Sequence, residues 1–129
     1  AWGDTLWMMA PGQAQAALVD SSRTATQALQ LGFSPGEQYP PTDHLPFIRA
    51  GWPAVSYSLV GRDEIDQVLA AYAGKKSRTP PKVMQVIHTE LDTLGQVDAP
   101  AAARGVDAVE RALRRWDAQV ATAKSETGE

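Results

Sequence analysis

Cysteine is absent from this chain of 129 residues. That excludes disulfides, thiolate catalysis and any zinc centre ligated by cysteine, and it leaves the redox compartment open. Histidine is nearly absent, with two residues, His44 and His88. Imidazole chemistry must therefore run through one of these two positions. No basic excess exists: 12 Lys and Arg face 15 Asp and Glu, for a net charge of −3. Without a basic field to displace phosphate counterions, no nucleic-acid partner is expected. No apolar run approaches the roughly 18 residues of a membrane span, so no membrane partner is expected either. A basic segment followed by an apolar core, the mark of an export signal, is also missing. The opening at Ala1, without Met, leaves processing or truncation upstream open.

Two catalytic patterns are missing as well. There is no Gly-x-Ser-x-Gly elbow, and Ser56 and Ser58 fall on an expected strand. A triad of Ser34, His44 or His88, and an Asp gains no support from spacing. The glycines of Gly32-Phe33-Ser34-Pro35-Gly36 read as a turn rather than a phosphate cradle. No internal repeat or low-complexity segment occurs.

What is present is ordinary globular material, 43% hydrophobic and 21% charged. The length predicts a single domain over residues 1–129, complete or incomplete, able to bury roughly two-thirds of its unfolded surface. Thr5-Leu6-Trp7-Met8-Met9, closed by Pro11-Gly12, reads as a strand, with a buried helix segment as the alternative. Ala14, Leu18, Ser22, Ala25 and Leu29 share a helical spacing that Gly32 stops. Phe33 to Thr42, with Pro35-Gly36 and Pro40-Pro41, reads as a loop. Asp43 is placed to cap a helical turn through Arg49. Pro53 to Val60 alternates like a strand. Ile65, Val68, Leu69 and Tyr72 make a helical stripe ended by Gly74. Lys75 to Lys82 reads as an exposed basic loop, and Val83 to Ile87 as a strand leading into His88.

The last helix has the clearest pattern. Asp98 is a candidate N-cap with Pro100 in the first turn. Ala102, Val106, Val109, Leu113, Trp116 and Val120 recur at spacings of four and three, which makes one apolar stripe over about five turns, a surface for a partner if the chain associates with itself. Arg104, Arg111, Arg114 and Arg115 fall on the solvated faces, and residues 122–129 read as a fraying polar tail. The expected fold is therefore α/β: a small, mostly parallel or mixed sheet of about three strands flanked by three main helices. So small a sheet has two edges that need covering or pairing with a second copy.

Both histidines sit in recognisable segments. One is Thr42-Asp43-His44-Leu45-Pro46-Phe47-Ile48-Arg49-Ala50-Gly51-Trp52-Pro53-Ala54. The other is Ile87-His88-Thr89-Glu90-Leu91-Asp92-Thr93. Together they resemble the last third of the zinc aminopeptidases of metallopeptidase family twenty-eight, whose fold also serves the glutaminyl cyclases. The family patterns are a (Ser/Asp/Thr)-Asp-His-x-Pro-Phe-x-x-x-Gly-x-Pro-Ala run and a His-Thr-x-x-Asp-Thr run.

The resemblance covers most of residues 4–117 and implies the C-terminal half of a zinc exopeptidase fold. It implies zinc as cofactor, with His88 as the final metal ligand. Asp92 and Thr93 would brace the loop that presents His88, and Asp43 and His44 would lie beside the substrate region. Trp52 stands where the family has a small or aliphatic residue. The family's His-x-Asp, Glu-Glu and Asn-Leu-Asp-Met-like patterns have no counterpart here, and Asp4 fits the last role only by force. One histidine cannot hold zinc, which takes at least three protein ligands. His44, Asp43 or Asp92 would have to converge on His88, or a second copy would have to contribute.

Two readings follow. In the first, the chain is part of a hydrolase cleaving an N-terminal peptide bond or related amide or ester, partnered by a missing N-terminal half. In the second, it is a non-catalytic module that associates with itself, with Trp2, Trp7 and Trp52 as candidate anchors. A hydrolase site assembled between copies would join the two. The bland alternatives are a hydrogen-bonded strand-end His88, a packed His44 beside a capping Asp43, and Trp52 in core or interface packing. Secretion or a periplasmic location is suggested by the resemblance alone.

Overall fold

The computed structural model describes residues 1–128. It shows an α/β arrangement with a three-stranded mixed sheet, ordered β2-β1-β3. The strands are β1 (Thr5–Met9), β2 (Gly32–Gly36) and β3 (Ser56–Val60). The helices are α1 (Ala16–Ala28), α2 (His44–Arg49), α3 (Arg62–Tyr72), α4 (Lys82–Val86) and α5 (Ala99–Thr127), with short 3-10 turns at Gln13–Gln15 and Leu94–Gln96.

Strand β1 is central and buried along its whole length, which is why it reads as an unbroken apolar run. It pairs in parallel with β2 and antiparallel with β3. Its side chains alternate between two cores. Leu6 and Met8 face α1 and α5, with Leu59, Tyr57 and Phe33 beside them. Trp7 faces the other way, into Val60, Ile65 and Val68, with Tyr39, Leu69 and Val83 around it. Helices thus cover both faces, with two clusters on the side of α1 and α5 and one on the side of Trp7.

Two expectations are corrected. The stretch after Phe33 was expected to be a loop, yet Gly32–Gly36 is an edge strand. Asp4 O accepts from Gly32 N at 2.8 Å, and Gly36 O accepts from Ala10 N at 3.0 Å. Gly32, Ser34 and Gly36 therefore turn their amides toward β1, and Phe33 and Pro35 turn theirs outward. Pro35 lacks an N–H only where no partner strand exists, so a proline is tolerated there. Second, Val83–Ile87 is not a strand. Lys82–Val86 forms one helical turn after Pro81, and this brings Val83 and Val86 to the interior together. Period alone cannot assign so short an apolar run.

Helix α5 forms where its pattern predicts it. Its capping is as expected, with Asp98 Oδ1 accepting from Ala101 N at 3.0 Å. Its fully buried residues are Ala101, Gly105, Ala108 and Ala112, and from the apolar stripe beside them Val109 and Trp116 pack partly against the core. Val106 is 68% exposed and Leu113 43%. A Cβ on Gly105 would lie 3.3 Å from Leu59 Cδ2, so the helix axis comes close to the sheet only through small residues. The segment from Thr122, expected to fray, is helical through Thr127, and Glu129 lies outside the described residues. Arg111 and Arg114 are exposed and pair with Asp107 and Glu110 one turn earlier, at 2.7 and 2.8 Å. Such pairs contribute little at the surface. Arg104 instead donates to Leu29 O at 3.0 Å, tying α5 to the end of α1.

Candidate functional site

The apolar side of the sheet that carries Trp7 opens into a cleft of about 250 Å³. Its floor is Trp7, Ser58 and Val60, its walls are Tyr39–Thr42 and Tyr72, and its rim is Met84, Ile87 and His88. Each part has a local cause. Trp7 is held by the central strand. Tyr39 leads the Pro40-Pro41 segment, whose restricted backbone carries the chain across the cleft in an extended path. His88 follows α4 directly and adopts φ 61°, a left-handed conformation unusual for a residue with a Cβ.

The turn after His88 is braced by Thr89. Its Oγ1 donates to Val86 O at 2.7 Å and accepts from Leu91 N at 3.1 Å. Asp92 and Thr93, which the resemblance gave the bracing role, are exposed and enter the turn through main-chain bonds, Asp92 N to Thr89 O and Thr93 N to Leu91 O. His88 itself is exposed, and no hydrogen bond from another side chain fixes its ring among the described residues. The bland reading, a strand-end histidine tied to a carboxylate, does not describe this position.

His44 is different in every respect. It is 5% exposed, and its Nδ1 lies 3.0 Å from Ser56 Oγ. Tyr39 meets its ring edge-on at 5.8 Å. Asp43 precedes it at the helix start but makes no side-chain capping bond. No carboxylate bonds to His44 among the described residues, so Ser56 and His44 form a packing pair and not an accessible triad. Trp52 is 67% exposed and Phe47 59%, which moves Trp52 out of the core position considered for it. Asp4 is exposed and accepts from Thr5 Oγ1 at 3.3 Å. It does not line the cleft with His88.

Tyr39 was not among the sequence candidates. It packs on Trp7 with ring centroids 4.5 Å apart, and its hydroxyl shares a hydrogen bond with Ser58 Oγ. The only signal available was the polar alternation of Ser56 and Ser58 within β3, which places Ser58 on the buried side. Burial pushes the Tyr39 hydroxyl above the ordinary 10.0, although its bond to Ser58 pulls the other way. Tyr57, bonded to Ser22 at 2.8 Å, is raised for the same reason.

These shifts have a pH consequence. A tyrosine raised in the folded state holds its proton more tightly there than when unfolded. Its contribution is complete below about pH 10 and is lost as pH rises through the folded values. The urea midpoint should thus be flat from about pH 8 to 9 and fall above about pH 10. The Tyr39→Phe, Tyr57→Phe double variant should flatten the alkaline limb, and an unchanged limb would show that other groups cause it.

A zinc ion ordinarily takes three protein ligands. Among the described residues no three His, Cys, Asp or Glu side chains converge. His88 is the one ligand candidate on the cleft rim, and a zinc ion bound there would need its other ligands from elsewhere. Among the described residues, no helix is long and apolar enough to cross a membrane. In comparisons with known proteins, no family model, no curated protein and no solved structure matches the chain.

Proposed function

We propose that this chain is the C-terminal part of a zinc-dependent aminopeptidase-like hydrolase. His88 contributes one metal ligand, and the region of Asp43, His44 and Trp52 contributes part of the substrate pocket. The remaining ligands come from polypeptide outside these residues, and the chain alone is inactive as a peptidase. One observation carries this reading beyond the motifs. Thr42 of the first motif and Ile87 and His88 of the second line the same cleft, with Asp43, His44 and Trp52 outside its lining, farther along the chain from Thr42. Two segments far apart in sequence thus border one concave surface, which supports a shared site.

The state of His88 adds support. Its left-handed backbone costs free energy that surrounding structure must offset, and such residues cluster at functional sites. Its ring is exposed on the rim, where a donor from another segment can join it. The Tyr39–Ser58 pair and the aromatic floor make the cleft a place for an apolar or aromatic substrate group rather than a charged one.

The test is the chain lengthened upstream in its own reading frame, beside its His88→Ala variant. Zinc of at least about one per chain and cleavage of an aminoacyl anilide are expected. Loss of a ligand should reduce that cleavage by about 1,000-fold, equivalent to several kcal/mol of transition-state stabilisation. A lengthened chain without zinc, or a variant that keeps both zinc and rate, would overturn the proposal. Zinc already present in the 129-residue chain and lost in the variant would instead favour a site assembled between copies.

A further inference from the structure

The two edges of the sheet are not alike. On β2 the outward amide positions are Phe33 and Pro35, and Pro35 has no N–H to offer. On β3 the situation is reversed. Even-numbered residues of β1 turn their amides toward β2, as the Asp4 and Ala10 bonds show. Odd-numbered residues therefore bond β3, in register Thr5 with Val60, Trp7 with Ser58 and Met9 with Ser56. That leaves the N–H and C=O groups of Tyr57 and Leu59 pointing away from the sheet.

One of these groups is already taken. Trp2 N donates to Leu59 O at 3.5 Å. Trp2 is held there by its indole, which donates to Glu64 at 3.0 Å, and by Lys82, whose ammonium lies 4.4 Å from the ring centroid. Gly3, at φ 94°, then carries the chain over the end of β3 with no room for a Cβ, which would lie 2.3 Å from Gly61 N. Ala1 itself borders an apolar groove of about 650 Å³ between β3 and α5, lined by Leu59, Val106, Val109 and Leu113.

We propose that the outer edge of β3 is the seat of a fourth strand, parallel to β3, formed by the polypeptide that leads into Ala1. The inference rests on the reading of this chain as the C-terminal part of a larger protein. The Trp2–Leu59 bond fixes the register. In a parallel ladder a residue's C=O accepts from the residue after its partner, so Ala1 is the partner of Leu59. The residue immediately before Ala1 then accepts from Leu59 N and donates to Tyr57 O. The residue two before Ala1 is the partner of Tyr57 and shares the α5 side of the sheet with Ala1. Its side chain enters the groove beside Val109 and Leu113 and must be apolar. The seated strand also accounts for the valine stripe of α5: Val106 and Leu113 are exposed because what covers them is this strand and not the core.

A second copy is the disfavoured occupant. A symmetric antiparallel pairing of two β3 edges would need Leu59 O free, and Trp2 holds it.

The experiment compares amide exchange in the 129-residue chain and in the same chain lengthened upstream by one strand of about six residues from its reading frame. Tyr57 and Leu59 amides should exchange at least about tenfold more slowly in the lengthened chain, the mark of a formed ladder bond. Val106→Glu should leave the melting temperature of the shorter chain unchanged and lower that of the lengthened one. Equal exchange in both chains would overturn the proposal. So would protection that appears in the shorter chain only as its concentration rises, which would assign the edge to a second copy. Slowed exchange in a lengthened chain that binds no zinc would keep the strand and remove the hydrolase reading, so the two can fail separately.

Discussion

Trp7→Ala should lose about 3–5 kcal/mol of stability, the range for truncating a buried tryptophan. Trp7 is 4% exposed on the central strand and anchors the cluster with Val60, Ile65 and Val68. It also supports the cleft, since Tyr39 packs on its ring. A domain of this kind holds about 5–15 kcal/mol in total, so the variant would stand close to unfolding. Trp7→Phe should lose less, about 1–2 kcal/mol, because an apolar ring still fills most of the site. Urea unfolding followed by far-UV circular dichroism is the measurement, as the substitution removes an indole fluorophore. The midpoint should fall while the slope is unchanged. A loss below about 1 kcal/mol would mean that the cleft side of the sheet is not a packed core.

The contrast between β1 and β2 shows what a sequence can and cannot display. β1 is buried on both faces, so hydropathy alone marks it. β2 is an edge strand whose Pro35-Gly36 carries the signature of a turn. Only the direction of each amide, set by the partner strand, makes that signature harmless. α4 is ambiguous in sequence for a related reason: five residues with valines three apart suit a helical turn as well as a strand. The candidate site divides along the same line. Its motifs were legible as residues, but the meeting of Thr42 with His88 depends on α4 and the Pro40-Pro41 crossing. Tyr39 carried no pattern at all, because a lone tyrosine beside two prolines becomes a cleft wall only through the fold. His44 and His88 look equivalent in sequence, yet one is sealed against Ser56 and the other stands exposed on a rim.

Ala108→Leu should destabilise the protein by about 2–3 kcal/mol, although it adds apolar surface at a buried helical site. The reason lies in how α5 meets the sheet. Ala108 and Ala112 are both 0% exposed, and Gly105 lies against Leu59. Small side chains there set the spacing between helix and sheet, and an isobutyl group must push the helix out or leave its rotamer well. Helix propensity cannot be the cause, since Ala and Leu are both among the best helix formers. The control is Val106→Leu, a similar enlargement on the exposed stripe one turn away, which should change stability by no more than about 0.5 kcal/mol. The Ala108→Leu variant should melt roughly 6–12 °C lower than the parent chain by calorimetry. Equal melting temperatures for the two variants would show that α5 does not dock through its small-residue face. The exposed valine stripe would then be its true packing surface, and β3 would have no groove to receive a strand.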